Sequence, residues 1–247
     1  MVGCLEAMPL RAIIFDFNGV IADDESVHFA AFQKALAEER LFLSKEDYYG
    51  TYLGMDERNC LAALLSTSPH PSPLPEPGRG EGEGALIKRI FNRKADLFRE
   101  YTWAHKPELF PGVVDVVKRA GERYRLAIAS GGKREQIEFA LRDTAIEKDF
   151  AVIVSAEDTD TGKPDPAVYR VALRLLNGVE PWPRPLIRPE ECLVIEDSLA
   201  GIRSALAAGM KVVAVATTYP AHELAAAHLV LQNLADASLD RLEALFG

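Results

Sequence analysis

Short apolar runs alternate with segments of helical periodicity, and this alternation constrains the fold more than any other feature. Strands are predicted at residues 11–17, 124–129, 151–155, 192–195 and 211–215. Helices are predicted between them at 113–122, 133–142, 166–176 and 199–208. Continuous apolar runs are typical of strands covered on both faces, and strand–helix alternation favours a parallel sheet between helices. The sequence therefore predicts an α/β fold with a Rossmann-like parallel sheet core.

Residues 25–108 break this alternation and are mainly helical in pattern. Helices are predicted at 25–41, at 58–65 and at 86–103, and Ser44 is the predicted cap of another. We therefore assign 1–24 and 109–247 to the α/β core and 25–108 to an inserted helical cap domain.

One segment of this insertion, residues 66–84, has proline or glycine at nine of its nineteen positions. This composition cannot bury a core, so the segment is expected to be flexible or extended. A tolerated surface insertion is favoured over a proline-rich ligand for a partner domain.

Composition excludes several classes of function. The net charge of −9 disfavours a nucleic-acid-binding protein, and no apolar run approaches the roughly 18 residues of a membrane span. The three cysteines, Cys4, Cys60 and Cys192, include no C-x-x-C pair, so a zinc site is not expected. We expect a cytoplasmic protein that binds neither nucleic acid nor membrane and is a monomer or a weak homodimer.

Polar residues that could take part in catalysis or binding occur in four separate segments of the predicted core. They are Asp16-Phe17-Asn18, Ser130-Gly131, Lys163-Pro164 and Glu196-Asp197. Each lies at or beyond the carboxyl end of a predicted strand, which is the edge where open α/β sheets bind ligands.

In this order the four segments resemble the motifs of the haloacid dehalogenase (HAD) superfamily. The likeness extends to its β-phosphoglucomutase and phosphoglycolate phosphatase-like subfamily, whose members carry a helical cap, and it spans nearly the whole chain. The resemblance implies a Mg²⁺-dependent phosphohydrolase that acts on a small phosphorylated metabolite.

The resemblance assigns the nucleophile and the metal site. Asp16 would attack phosphorus and form an aspartyl-phosphate. Asp16 and Asp197 would supply carboxylate oxygens to Mg²⁺, with Glu196 as a direct or supporting group and Asn18 contributing its backbone carbonyl.

The same resemblance implies a phosphate site. Lys163 would neutralise phosphate charge, while the Ser130 hydroxyl and the N–H groups near Gly19 and Gly131 would donate to its oxygens. In the cap, the implied hinge or substrate-side residues are Asp24, Glu25, His28, Gly54 and Arg58.

Asn18 departs from the family pattern, in which the second residue of the Asp-x-Asp pair is the general acid/base. An amide cannot fill that role, and such catalysis is typically worth ~10²–10⁴-fold. Either another carboxylate replaces it, with Asp24 first and Asp23 and Glu25 next, or the leaving group needs no acid, or turnover is poor. An engineered substitution is a further possibility.

Each motif also has a purely structural interpretation. Asp16 could cap a turn, Ser130-Gly131 could be a plain turn, and Lys163 could be an exposed loop residue. Glu196-Asp197-Ser198 could cap the helix that follows, and His28 could be an ordinary helix-face residue.

Two further functions stay open. A haloacid dehalogenase also lacks the second Asp, although the acidic pair Glu196-Asp197 favours phosphate chemistry. A non-catalytic phosphometabolite-binding protein is the alternative from another class.

Overall fold

The computed structural model describes residues 8–52, 60–61, 63–65, 83–104 and 106–247. The chain divides into two compact units. The core unit comprises Met1–Asp23 and Glu108–Gly247, and the inserted unit comprises Asp24–Pro107. These boundaries lie one residue from those drawn on the sequence.

A six-stranded sheet forms the centre of the core unit, and the prediction of a parallel sheet is confirmed. Its strands are β1 Ala12–Phe15, β4 Arg125–Ala129, β5 Val152–Val154, β6 Cys192–Glu196, β7 Lys211–Val215 and β8 Leu229–Leu231. Their order is β5-β4-β1-β6-β7-β8, and every neighbouring pair is parallel. Strand β1 therefore lies between β4 and β6.

The strands are apolar throughout because both faces of the sheet are covered. In β1, Ile13 and Phe15 belong to one buried cluster, whereas Ala12 and Ile14 belong to the other. Side chains alternate between the faces of a strand, so two covered faces require an unbroken apolar run. The core helices are α4 Val113–Gly121, α5 Arg134–Leu141, α6 Ala167–Leu176, α7 Leu199–Ala207 and α8 Leu239–Glu243.

Three short strands were not predicted. They are β8 and the antiparallel pair β2 Ala22–Asp23 and β3 Glu108–Leu109. Segments of two or three residues carry too little periodicity to be recognised. The inserted unit begins directly after β2 and ends directly before β3, so this pair of strands connects the two points of the core unit at which the insertion starts and stops.

The inserted unit is helical, as predicted. Its elements are α1 Glu25–Glu38, α2 Lys45–Asp47, a π-helical turn Tyr48–Tyr52 and α3 Glu83–Ala104. The Ser44 cap is present, since its Oγ accepts a hydrogen bond from the Asp47 N–H at 3.0 Å. Helices α1 and α3 share an apolar cluster that includes Phe32, Leu36, Ile90 and Leu97.

The flexible segment predicted at 66–84 lies outside the described residues except at its end. Glu83 and Gly84 are helical, so the prediction was wrong for these two residues because α3 extends further toward the N-terminus than its apolar pattern. Among the described residues, no helix combines the length and apolar character needed to cross a bilayer.

Candidate active site

Three neighbouring strands of the core unit end in the polar residues singled out above. Asp16 directly follows β1, Ser130 follows β4, and Glu196 is the last residue of β6. Because these strands are adjacent and parallel, their carboxyl ends lie at one edge of the sheet. The topology thus brings together segments that are more than 170 residues apart in sequence.

Lys163, in the loop before α6, connects two of these strand ends. Its Nζ lies 2.8 Å from Asp16 Oδ1 and 2.6 Å from Glu196 Oε1, and its side chain is 12% exposed. It is therefore not the exposed loop residue of the structural interpretation. Burial opposes its charge, but Asp16 and Glu196 raise the pKa of the ammonium and keep it protonated.

The site carries more negative than positive charge. One oxygen from each of Asp16, Glu196 and Asp197 lies within 4.8 Å of the others, and the ammonium of Lys163 contacts Asp16 and Glu196. Burial raises the pKa of Asp16 to about 6, with Lys163 opposing and Glu196 reinforcing the shift. Burial, together with the charges of Glu196 and Asp16, also raises the pKa of Asp197.

Glu196 differs from the two aspartates because it is fully hydrogen-bonded. Its Oε1 accepts from Lys163 and from the Tyr169 hydroxyl at 2.8 Å, and its Oε2 accepts from the Asp197 and Ser198 N–H groups and from Ser198 Oγ. Burial raises its pKa, but Lys163 and these hydrogen bonds outweigh burial and lower it overall.

The donor set suits a hard divalent cation. Asp16 Oδ1 is buried, and no described residue gives it a hydrogen bond of good geometry, although Lys163 lies at ion-pair distance. A buried carboxylate oxygen without a well-aligned donor, beside two further carboxylates, offers the oxygen ligands that Mg²⁺ prefers. The residues present therefore fit the implied metal.

The loop after Asp16 is held against Asp197. Gly19 has φ +75°, and a Cβ there would lie 2.0 Å from Asp197 Oδ2, so a larger residue would displace that carboxylate. The Gly19 N–H donates to the Ala22 carbonyl at 3.0 Å within the loop, and the phosphate role expected of N–H groups near Gly19 stays a prediction.

Two threonines after β7 complete this contact, and the sequence analysis did not identify them. Thr217 Oγ1 donates to the Gly19 carbonyl at 2.5 Å, and Thr218 Oγ1 donates to Asp197 Oδ2. They occupy the same sheet edge as the other motifs. They follow the predicted strand at 211–215, so their position after a strand end is the sequence signal that marks them.

The predicted phosphate-binding residues line one cavity. Ser130, Gly131 and Lys163 border a space of about 220 Å³, whose lining also includes residues 159–162. Ser130 is buried, its Oγ accepts from the Gly132 N–H at 3.0 Å, and a Cβ added at Gly131 would have no contact within 4 Å. This arrangement leaves room for an anion near the lysine.

Helix α7 is capped by Ser198 and not by the acidic pair. Ser198 Oγ accepts from the Gly201 N–H at 3.0 Å, so the capping alternative for Glu196-Asp197-Ser198 is confirmed at Ser198. Gly201 and Tyr169 were also not identified. A lone glycine in a helical pattern signals close packing, whereas a tyrosine on an apolar helix face gives no such signal.

The residues predicted for the cap form a separate polar cluster within the inserted unit. His28 Nε2 lies 3.5 Å from Asp24 Oδ2, and its Nδ1 lies 2.6 Å from Nζ of the buried Lys94. Glu25 accepts a hydrogen bond from the Tyr48 hydroxyl. Their roles stay predictions, and Gly54 and Arg58 lie outside the described residues.

A parallel sheet with an acidic group and a lysine at its carboxyl edge is the arrangement that the four motifs predicted. The family model described as haloacid dehalogenase-like hydrolase matches residues 10–209. The chain therefore belongs to the haloacid dehalogenase-like hydrolases, and it is an enzyme of that family.

Individual relatives include phosphatases. Protein CbbY from Rhodobacter capsulatus is 31% identical over 221 residues, covering 86% of this chain and 88% of the relative. A phosphorylated carbohydrates phosphatase from Thermotoga maritima is 29% identical over 203 residues, covering 82% and 83%.

A solved structure shares the fold over most of its length. It is a variant of CbbY from Rhodobacter sphaeroides in complex with xylulose-(1,5)bisphosphate, with a TM-score of 0.64 and 29% identity. The match covers 92% of this chain and 96% of that one.

Proposed function

We propose that this chain is a Mg²⁺-dependent phosphohydrolase that acts on a small phosphorylated metabolite through an aspartyl-phosphate at Asp16. The observation that carries the proposal is the group formed by Asp16, Lys163, Glu196 and Asp197 beside a cavity that can receive an anion. The names of the relatives support a phosphorylated carbohydrate as the substrate.

The chemistry proceeds in two steps on Asp16. Its carboxylate oxygen forms a bond to phosphorus while the bond from phosphorus to the ester oxygen breaks, and the leaving alkoxide takes up a proton. Water then attacks the aspartyl-phosphate, which releases inorganic phosphate and restores the carboxylate. The covalent intermediate divides one difficult displacement into two easier ones.

The surrounding residues reduce the repulsion between a carboxylate and a phosphate. Lys163 supplies a fixed positive charge, and Ser130 and the backbone near Gly131, which line the same cavity, would donate to phosphate oxygens. Asp16, Asp197 and the Asn18 backbone carbonyl would hold Mg²⁺, which would neutralise further phosphate charge. Glu196 supports the site by fixing Lys163, since both of its oxygens already accept hydrogen bonds.

Asn18 leaves the proton donor to the leaving group unassigned. Asp24 is the first candidate from the sequence, with Asp23 and Glu25 next. We expect Asp24→Asn to lower turnover of an alkyl phosphate more than that of an aryl phosphate, because an aryl oxide leaves without protonation. Equal losses on both substrates would remove Asp24 from this role.

The decisive experiment compares Asn18→Asp with the native chain on a sugar phosphate and on an activated aryl phosphate. If neither Asp24 nor another carboxylate supplies the proton, the substitution should raise sugar-phosphate turnover by ~10²–10⁴-fold, because it restores acid/base catalysis, and should change aryl-phosphate turnover much less. Unchanged sugar-phosphate turnover would contradict a missing proton donor.

A second measurement looks for the covalent intermediate. Hydrolysis of an aspartyl-phosphate needs an activated water, so in the native chain the adduct at Asp16 should persist after acid quenching. Mass spectrometry of the quenched protein would locate a phosphate adduct on the peptide that contains Asp16. Its absence under turnover conditions would contradict the proposed nucleophile.

A further inference from the structure

Tyr169 is a buried polar residue of the core unit that none of the roles above uses. It lies in α6, is 0% exposed, and has one polar side-chain atom. That hydroxyl donates to Glu196 Oε1 at 2.8 Å. The face of its ring also lies below the ammonium of Lys163, with Nζ 5.1 Å from the ring centroid.

Glu196 has no acceptor capacity left over. A carboxylate offers about four lone-pair sites, and Glu196 accepts from five donors, among them Lys163 and Tyr169 on the same oxygen. Its orientation is therefore determined by these donors, and Lys163 takes its direction toward Asp16 from Glu196.

Helix α7 forms the opposite wall of this arrangement. A Cβ at Gly201 would lie 1.7 Å from Glu196 Oε1, so the carboxylate lies directly against the helix backbone and cannot withdraw in that direction. The loop that carries Lys163 is tied to the same helix, since Ser204 Oγ donates to the Asp165 carbonyl at 2.6 Å. Tyr169 contacts Glu196 through its hydroxyl and Lys163 through the face of its ring.

We propose that Tyr169 is a positioning residue for phosphoryl transfer: its hydroxyl fixes Glu196, and through Glu196 and its ring it holds the Lys163 ammonium against Asp16 and the incoming phosphate. This inference rests on the proposed phosphohydrolase function. It assigns Tyr169 a role that reaches the reacting atoms only through Glu196 and Lys163.

Tyr169→Phe isolates the hydroxyl, because the ring and its contact with Lys163 stay in place. Tyr124→Phe is the matched control, since the Tyr124 hydroxyl also donates to a glutamate, Glu243, on another part of the core unit. We expect Tyr169→Phe to lower kcat/KM by about tenfold or more, as for a lost hydrogen bond to a charged group. Tyr124→Phe should match the native enzyme.

A purely structural role would lower the melting temperature of both variants without this difference in kcat/KM. A readout that does not require turnover is the binding of inorganic phosphate in the presence of Mg²⁺, measured by calorimetry. Phosphate affinity should fall in Tyr169→Phe and not in Tyr124→Phe, because the lysine that faces the anion is less well placed.

A double-mutant cycle with Glu196→Gln tests the route of the effect. If Tyr169 acts through Glu196, adding Tyr169→Phe to Glu196→Gln changes kcat/KM by less than about twofold, since the two losses are not additive. Additive losses, or a Tyr169→Phe enzyme as active as the Tyr124→Phe enzyme, would overturn the inference alone. A native chain that hydrolyses no phosphate ester overturns the proposed function instead, and phosphate binding then decides the inference.

Discussion

Each of the two units contains a lysine that is largely shielded from solvent, and the surroundings of these two lysines differ. In the core unit, Lys163 contacts the carboxylates of Asp16 and Glu196 directly. In the inserted unit, Lys94 contacts His28 and lies over two aromatic rings, Phe32 and Phe98, at 4.9 and 5.0 Å. Lys163 therefore balances the charge of two carboxylates, whereas Lys94 adds contacts with two aromatic ring faces to its contact with an imidazole.

The largest expected effect concerns the centre of the core site. Asp16→Asn removes the proposed nucleophile, so hydrolysis of every phosphate ester should fall by more than about 10³-fold, as for other lost nucleophiles. Steady-state assays on a sugar phosphate and an aryl phosphate would measure this loss. A variant that keeps a tenth of the native rate would show that another residue attacks phosphorus.

The two lysines should respond differently to replacement by methionine. Lys163→Met leaves buried carboxylates without their cation and should lower the free energy of unfolding by about 3–5 kcal/mol in metal-free buffer. Lys94→Met keeps an unbranched side chain against the rings and should cost less. Urea titrations would compare the two variants.

Magnesium sharpens the same comparison. Mg²⁺ should stabilise the native chain and Lys94→Met by the same amount, because both keep Lys163 and the core carboxylates, and should stabilise Lys163→Met more, because it supplies positive charge to carboxylates that have lost their cation. A failure of Mg²⁺ to stabilise any of the three proteins would contradict a metal site at the core carboxylates.

A glycine in each unit provides a smaller test. Gly201→Ala places a Cβ 1.7 Å from Glu196 Oε1 and should destabilise the protein by about 1–3 kcal/mol, as overpacking does. Gly84→Ala, in α3 with open space around it, should stabilise slightly, because alanine favours helix. Thermal unfolding of both variants would check the opposite signs, and equal shifts would contradict the close contact at Gly201.

The smallest expected effect concerns a surface ion pair of the inserted unit. Arg93 and Glu38 are joined by two hydrogen bonds, at 2.8 and 3.0 Å, but both side chains are solvent-exposed. Exposed pairs contribute little and are screened by salt. Arg93→Ala should leave the melting temperature nearly unchanged at high salt, and a large loss there would show that the pair stabilises the packing of α1 against α3.

Residues at strand ends were the part of the site most accessible from sequence. Asp16, Ser130, Glu196 and Asp197 follow apolar runs, and the parallel sheet then places them at one edge. Tyr169 could not be found in this way, because a tyrosine on a buried helix face has the same pattern whether or not its hydroxyl reaches a carboxylate. Lys94 lies in an ordinary charged helix, so only packing shows that it is buried.

By itself the sequence determined the parallel fold, the helical insertion and the candidate residues at the strand ends, since apolar periodicity and strand-end position are local properties. The tertiary structure decided which hydrogen-bond donors each carboxylate receives. It made Glu196 an anchor, saturated by Lys163, Tyr169 and Ser198, and it left Asp16 with a buried oxygen that lacks a well-aligned donor. These differences depend on which donors reach each oxygen. Hydrogen-bond geometry between segments that are far apart in the chain cannot be predicted from the local sequence pattern of either segment.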